Sequence, residues 1–384
     1  MDDLVIVGSG LAAVTLVREV RRRDPQRAIT LITRDSGEVY SKPGISGAYA
    51  AGKSPDALVT QGALAHAEAM RLRLLAHTTV SALDTARRVL LTDRGEVRYG
   101  DLVLATGAAP IPLSLAGHGS SGVRAINSLD DYRELRACLD APRRVAIVGA
   151  GLVGCELAND LRTGGHAVTL FDRATLPLSR LLPDVAAQRM RDGLTGIGVD
   201  LRLGVALSRI ERDGAAYTVH SADGRCDPFD LVVSALGLAV DADWLKAAGI
   251  AAGTGVLTDA HLRTSQPHVY ALGDCVETDG RLMPYVQPIL HGAKALAATL
   301  CGTPTAVSYP PMPVVIKTPA CPTVVCTPEP GDSGQWTVEG ADANGLCALF
   351  VNAKGMTRGF VLQGDRVRER MAFAARVGSS APGV

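Results

Sequence analysis

The chain has 384 residues and a mass of 40.0 kDa, too long for one compact core; at about 100–200 residues per domain it should hold two or three. Lys+Arg 39 balances Asp+Glu 39, so a net charge of zero argues against a general nucleic-acid binder, while leaving room for a local charged docking patch. Charged residues at 20% and hydrophobic ones at 47% exclude a disordered chain, and eight cysteines running from Cys138 to Cys347 without a CxxC pair exclude a disulfide scaffold or a zinc cage.

Met1-Asp2-Asp3 is acidic where an export signal would be basic, and glycines break the apolar run that follows. The longest uncharged stretches, residues 102–123 and 295–316, contain prolines and small polar residues and do not read as spanning helices. A cytoplasmic protein without membrane insertion is expected.

An internal repeat organises the chain. Leu4-Val5-Ile6-Val7 leads into Gly8-Ser9-Gly10-Leu11-Ala12-Ala13 and a helix over 14–23. A second apolar run, 28–33, is followed by Asp35. Val145-Ala146-Ile147-Val148 likewise leads into Gly149-Ala150-Gly151-Leu152-Val153-Gly154, a helix over 155–163, a run over 167–171 and then Asp172. Each is the beginning of a βαβ unit, so two doubly wound domains are expected. Strand material ends each domain at 101–107 and 229–237, and another apolar strand runs over 269–274. Proline suits a first helical turn, so a helix is expected from Pro288 through Leu300. After Tyr309 come Pro310, Pro311 and Pro313, and then alternating segments at 345–352 and 357–364, which read as a small cap with an antiparallel sheet. The fold class is therefore α/β, two doubly wound dinucleotide-binding domains plus a small C-terminal α+β domain.

In such a loop the first glycine makes the tight turn, the second admits the pyrophosphate, and the third lets helix and strand pack; the helix N-terminus supplies N–H groups and partial positive charge. Ala13 takes the third place in the first copy, a permitted variant. Asp172, 18 positions past Gly154, can accept from a ribose 2′-OH and would repel a 2′-phosphate, which favours NADH; Arg173 beside it weakens the preference and leaves NADPH tolerated. At the first copy either Asp35, or Thr33 and Arg34 through hydroxyl and backbone, hold the ribose; the alternative is that Asp35 only caps a turn. Two dinucleotide cradles in one chain imply FAD plus a nicotinamide.

The order of Gly8-Ser9-Gly10, Ala105-Thr106-Gly107, the second glycine loop with Glu156, Ala235-Leu236-Gly237 and Ala271-Leu272-Gly273-Asp274 resembles the two-dinucleotide flavoprotein superfamily of pyridine-nucleotide oxidoreductases, glutathione-reductase-like in fold. The resemblance covers about residues 1–300. It implies an FAD domain over 1–110 and 240–308, an NAD domain over 111–239 and a small domain over 309–384. It also implies that Asp274 hydrogen-bonds the FAD ribityl chain and that the backbone of Val80, in Thr78-Thr79-Val80, reads the adenine.

Three segments, Tyr40-Ser41-Lys42-Pro43, Pro284-Tyr285-Val286-Gln287-Pro288 and Lys317-Thr318-Pro319-Ala320-Cys321-Pro322, resemble rubredoxin reductases. By that resemblance Lys42 lies beside the flavin, where a cation steadies the charge of its reduced ring. Val286 precedes a helix whose positive end faces the flavin pyrimidine. Lys317 touches flavin or partner, the alternative being plain surface charge. Glu156 lies between nicotinamide and flavin, the alternative being a first-turn acid that complements the helix dipole. Arg34, where relatives more often carry a small residue, and Gly44-Ile45-Ser46-Gly47, with little apolar bulk, depart from the family pattern.

Relatives that reduce disulfides carry CxxxxC on the first helix after the FAD strand, and NADH oxidases and peroxidases carry a cysteine near Ser41-Lys42-Pro43. No cysteine precedes Cys138, which excludes both routes. Cys321 and Cys326 have the CxxxxC spacing but lie in the terminal cap and read as structural, and the other six cysteines read as small apolar residues. No His/Asp pair stands out, and His291 reads as a core or surface residue. The expected activity is that of an FAD-dependent reductase: hydride from NADH to flavin N5, then two one-electron steps to rubredoxin, an acidic iron protein met by a local basic rim. The alternatives are a ferredoxin reductase or other iron-protein reductase component, and a flavin-binding interaction protein with negligible turnover. With about 75 residues after Tyr309, against about 120 in the dimerising cap of thiol-dependent relatives, a monomer or a weak dimer is expected.

Overall fold

The computed structural model describes residues 3–278, 280–329 and 331–379; Met1 and Asp2, part of the segment read for an export signal, lie outside them. Two compact units emerge, one formed by 1–42, 56–109 and 238–310, the other by 43–55, 110–237 and 311–384.

The first unit is built on a five-stranded parallel sheet in the order Val269–Ala271, Asp101–Leu104, Leu4–Val7, Ile29–Ile32, Arg73–Leu75. Its central strands are buried along their whole length, as the unbroken apolar runs require of strands covered on both faces. Helix Leu11–Arg23 turns Ala12, Ala13, Leu16, Val17 and Val20 onto the sheet, and Arg21, Arg22 and Arg23 complement the negative end of its dipole. It packs against helix Val286–Leu300. An antiparallel meander of Val80–Asp84, Val89–Thr92 and Gly95–Arg98 is inserted ahead of the Asp101–Leu104 strand. At the end of the sheet away from the glycine loop, the buried Arg27 guanidinium pairs with Asp101 at 2.5 Å and donates to the carbonyl of Leu300.

The second unit repeats the plan. Arg124–Ala125, Leu231–Ser234, Arg144–Val148, Ala167–Asp172 and Asp200–Leu203 form a parallel sheet in that order. Helices Leu152–Thr163 and Asp184–Gly196 alternate with its strands, and a meander of Leu207–Asp213, Ala216–Ser221 and Cys226–Phe229 is inserted before Leu231. The chain then ends in an antiparallel sheet in the order Val314–Ile316, Thr323–Cys326, Thr357–Gly364, Gly345–Asn352, Gly334–Ala341, with helix Arg370–Arg376 laid on it through Phe373 and Phe360. This sheet is seated on the helices of its own unit: Gln363 Nε2 donates to the Ala186 carbonyl at 2.9 Å, and the Ala320 N–H to Asn159 Oδ1 at 3.0 Å.

Both nucleotide helices start earlier than their apolar periodicity predicts, at Leu11 and Leu152 instead of Val14 and Cys155, because the second glycine of each loop is itself the N-cap. The helix expected from Pro288 begins two residues sooner, at Val286. Pro288 then sits inside the first turn, where a missing N–H leaves no helical bond unmade. The strands predicted to run to Gly107, Gly237 and Asp274 stop at Leu104, Ser234 and Ala271, and the remaining residues leave the sheet edge as loops. No helix among the described residues is long and apolar enough to cross a membrane.

Candidate functional site

The first glycine loop shows which glycines serve the chain and which serve something else. Gly8, at φ +114°, could carry no side chain: a Cβ would stand 2.1 Å from the Ala105 carbonyl oxygen. Gly10 is different. It has an ordinary backbone, with φ −70°, and a Cβ there would meet nothing within 4 Å. The N-terminus of helix Leu11–Arg23 begins there without a side-chain cap, so a glycine that the protein itself does not need stands beside open helix N–H groups. That combination fits an approaching pyrophosphate.

Around this loop Asp35 collects donors. Its carboxylate accepts from Ser9 Oγ at 2.8 Å, Thr33 Oγ1 at 2.7 Å and the Gly37 N–H at 2.9 Å. Asp35 therefore does cap a turn, and it also holds Ser9 and Thr33 in place; its Oδ2 has a Ser9 contact alone and keeps acceptor capacity. Arg34 beside it is exposed. The Thr78 N–H donates to the Thr33 carbonyl at 2.8 Å, which brings the segment leading to Val80 against this end of the cradle.

On the other side, Gly273 at φ +87° lets the loop after the Val269–Ala271 strand reach Ala12, whose Cβ would lie 2.8 Å from one at position 273. Asp274 follows. Its Oδ1 is buried with no partner, and burial pushes its carboxyl up against the opposing pull of the half-buried Lys42. A buried acceptor without a donor is costly on its own and fits a hydroxyl-bearing ligand. Thr106 is exposed, Gly107 is at φ +69°, and helix Val286–Leu300 opens at Tyr285 without a side-chain cap. Pro43, next to Lys42 in sequence, is exposed and belongs to the other unit.

The second cradle uses the same construction. A Cβ on Gly149, at φ +110°, would lie 2.5 Å from the Ala235 oxygen, one on Gly154 would lie 1.8 Å from the Gly149 oxygen, and one on Gly151 would meet nothing. Gly151 is again an N-cap without a side-chain bond. Leu152 is half-buried, and Val153 is exposed at the open end. Asp172 ends its strand with both oxygens in use, Oδ2 accepting from the Ala150 N–H at 2.6 Å and Oδ1 from the Ala174 N–H at 2.7 Å. It is thus oriented by the loop it faces, with further lone pairs available. Arg173 is exposed, and Gly237, at φ +104°, accepts from the Ile111 N–H.

Glu156 lies beyond the first turn of its helix, so it does not act as a first-turn acid on the dipole. It is 1% exposed and fully partnered. Lys317 Nζ stands 2.5 Å from Oε2, the Lys317 N–H donates to Oε1 at 2.8 Å, and Ser46 Oγ donates to Oε2 at 2.5 Å. Lys317 Nζ also reaches Ser46 Oγ at 2.9 Å. The structure pairs Lys317 with Glu156, a contact that neither reading of Lys317 named. Ser46, the hydroxyl donor to the candidate residue Glu156, falls in the segment noted only for its lack of apolar bulk. A serine 110 positions from its partner gives no local signal.

With this geometry described, known proteins supply the context. Residues 2–292 match the family model for pyridine nucleotide-disulphide oxidoreductases, and residues 306–377 match that for a rubredoxin binding C-terminal domain. The chain is 40% identical over 366 residues to a nitric oxide reductase FlRd-NAD(+) reductase of Aeromonas hydrophila, covering 95% of this chain and 94% of that one. It is 40% identical over 373 residues to a rubredoxin-NAD(+) reductase of Alcanivorax borkumensis, covering 97% of each. Among solved structures, the ferredoxin reductase for the CYP199A2 system of Rhodopseudomonas palustris superposes with a TM-score of 0.88 at 26% identity over 98% of this chain and 96% of that one. The chain belongs to the pyridine nucleotide-disulphide oxidoreductase family and is an oxidoreductase.

Two substitutions separate ligand-facing residues from structural ones. Gly10→Ala should leave apo-protein stability within about 1 kcal/mol of wild type while lowering flavin affinity at least about tenfold, whereas Gly8→Ala should destabilise the apo-protein itself. Denaturant unfolding of the apo forms and the flavin content of the purified proteins check this. Asp172→Ser should weaken NADH about tenfold and improve NADPH, read as a reversal in the KM ratio. An unchanged ratio would show that the carboxylate serves its own loop and no ribose.

Proposed function

We propose that this protein takes electrons from NADH and delivers them, through FAD, to rubredoxin or a close iron-protein equivalent. The observation that carries the reading is the coexistence of two independent dinucleotide cradles, each with an open second glycine and an uncapped helix, with a C-terminal segment that matches a rubredoxin-binding domain. The names of the relatives support the same acceptor.

In this reading residues 1–110 and 240–308 hold FAD, 111–239 hold the nicotinamide nucleotide, and 309–384 meet the acceptor. Bound FAD supplies the conversion between a two-electron donor and a one-electron iron centre. The rest falls to the chain. Gly8, Ser9, Gly10, Leu11 and Ala12 present backbone to the FAD pyrophosphate, with Thr33, Arg34, Asp35 and Val80 at the adenosine end. Ala105, Thr106, Gly107, Gly273 and Asp274 line the ribityl side, and the unpartnered Asp274 oxygen accepts a hydroxyl there. Lys42 and the helix N-terminus at Val286 place positive charge near the ring. Gly149, Gly151, Leu152, Val153 and Gly154 take the second pyrophosphate, Asp172 and Arg173 read its ribose, and Gly237 borders the same cradle. Glu156, held by Lys317 and Ser46, orients the nicotinamide. No residue has to move a proton in the hydride step. The protein works as a monomer in the cytoplasm.

A ferredoxin as acceptor is the second reading, favoured by the likeness to a ferredoxin reductase structure. The test is direct. The purified protein should be yellow and bleach on anaerobic addition of NADH, and rubredoxin should stimulate its steady-state reduction of cytochrome c. Failure to bleach sinks both readings, and stimulation by plant-type ferredoxin alone transfers the assignment to the second. Lys317→Met should slow bleaching by NADH about tenfold, about 1.4 kcal/mol in the barrier, with flavin content retained. Lys317→Arg should recover part of the loss, because it restores a cation beside the buried Glu156 carboxylate. Equal rates for wild type and Lys317→Met would remove the Lys317 ammonium from the nicotinamide step.

A further inference from the structure

The meander inserted in the second unit holds a three-residue arrangement that the electron-transfer reading does not use. Its strands Leu207–Asp213, Ala216–Ser221 and Cys226–Phe229 pair antiparallel. Cys226 stands directly opposite His220, and Glu211 stands opposite Thr218, two residues before His220 on the neighbouring strand. Side chains at i and i+2 of a strand share a face, so Cys226, His220 and Glu211 form a row across one side of the sheet.

The distances make the row a hydrogen-bonded chain. Cys226 Sγ lies 3.1 Å from His220 Nδ1, and His220 Nε2 lies 3.0 Å from Glu211 Oε2. The other oxygen of Glu211 is held at 3.2 Å by Arg209, which itself stands directly opposite His220 in the strand register. Because a carboxylate only accepts, the proton of a neutral His220 belongs on Nε2, and the Nδ1 lone pair then faces the thiol. This is the spatial order of nucleophile, base and orienter in which an imidazole can accept a thiol proton and a carboxylate can hold the imidazole.

The contrast with the other thiols is sharp. Among the eight cysteines, Cys155, Cys275, Cys321, Cys326 and Cys347 are buried and Cys138 and Cys301 are half-buried, while Cys226 is exposed. Burial pushes Cys326 up to about 11 and Cys347 up to about 12, which makes them poor nucleophiles. Cys226 is exposed, so the chemistry of the row is that of an accessible thiol.

We propose that Cys226 is an activated surface thiol that exchanges with small disulfides. The Cys226 thiolate attacks one sulfur of R–S–S–R, the S–S bond of the reagent breaks, and a Cys226–S–S–R bond forms. The departing R–S⁻ takes the proton held on His220 and leaves as R–SH. One disulfide is consumed and one is made, so no external oxidant or reductant is needed. This goes beyond the electron-transfer reading and does not depend on it.

Holoprotein mixed with an aromatic disulfide such as Ellman's reagent, and separately with oxidised glutathione, tests the proposal. Ellman's reagent should react in one rapid phase equal to one thiol per chain, and intact-mass spectrometry after glutathione treatment should show one adduct, mapped to Cys226. Cys226→Ser should abolish both while leaving bleaching by NADH unchanged. His220→Gln should slow the phase at least about tenfold, and Glu211→Gln should slow it less, with circular dichroism confirming an intact fold in each. The proposal is overturned if the rapid phase survives in Cys226→Ser, if the adduct maps to another cysteine, or if folded His220→Gln and Glu211→Gln both react at the wild-type rate.

Discussion

A buried carboxylate that must find donors organises the second unit. Taking a carboxylate out of water costs several kcal/mol unless it is paired and hydrogen-bonded, and Glu156 is nearly inaccessible. Helix Leu152–Thr163 in fact carries three buried polar residues, Glu156, Asn159 and Asp160, at i, i+3 and i+4 on one face. Each is satisfied by a segment distant in sequence. Glu156 takes Ser46 and Lys317, Asn159 takes the Ala320 N–H, and Asp160 takes the N–H groups of Tyr49 and Ala50. Burial pushes the Asp160 carboxyl up, and those two N–H groups pull it back. The stripe therefore recruits residues 43–55 and the start of the C-terminal sheet to one helix, and both fall in the same compact unit as that helix. A loop from near the first glycine motif and a sheet from the far end of the chain meet there because this helix has polar groups to satisfy on that face.

The two cradles obey a different constraint, close approach of backbone. Gly8 against Ala105 and Gly149 against Ala235 are the same contact made twice, each joining the turn after the first strand to the residue that opens an Ala-x-Gly exit. Once these contacts set the turn, the next glycine becomes the helix N-cap and has space in front of it. Its lack of a side chain has no structural cause of its own. In both units the acid after the second strand is tied into the loop, Asp35 through Ser9 and Thr33, Asp172 through the Ala150 N–H. The acids thus stiffen both glycine loops.

What could be read from the sequence was whatever repeats locally. The paired glycine loops, the apolar runs before them and the terminal alternation over 345–352 and 357–364 correspond to elements of the structure, because burial of contiguous or alternating residues writes itself into adjacent positions. Helix starts were read late because a glycine N-cap carries no side-chain signal. The inserted meanders at 80–98 and 207–229 were overlooked, since their strands are short and partly exposed, with mixed polar and apolar residues. Ser46 and its bond to Glu156 were out of reach for another reason. A buried ion pair between distant segments has no periodicity, and a serine or a lysine looks the same whether it faces a carboxylate or water.

The thiol distribution was legible in position but not in consequence. No cysteine precedes Cys138, yet two lie immediately beside the cradles: Cys155 follows Gly154, and Cys275 follows Asp274. Both are wholly buried and donate to backbone carbonyls, Cys155 to Ala150 and Cys275 to Leu104. Burial raises both, and for Cys155 the carboxylates of Asp172 and Glu156 raise it further. A thiolate is the reacting form, so the same desolvation that makes these residues good packing groups disfavours it. The family name refers to disulphides, but in this chain the thiols nearest the glycine loops are wholly buried. The thiol exchange proposed for this chain belongs to Cys226, on a sheet inserted between strands of the parallel fold. In this protein, then, any thiol chemistry and the proposed flavin chemistry reside on different elements.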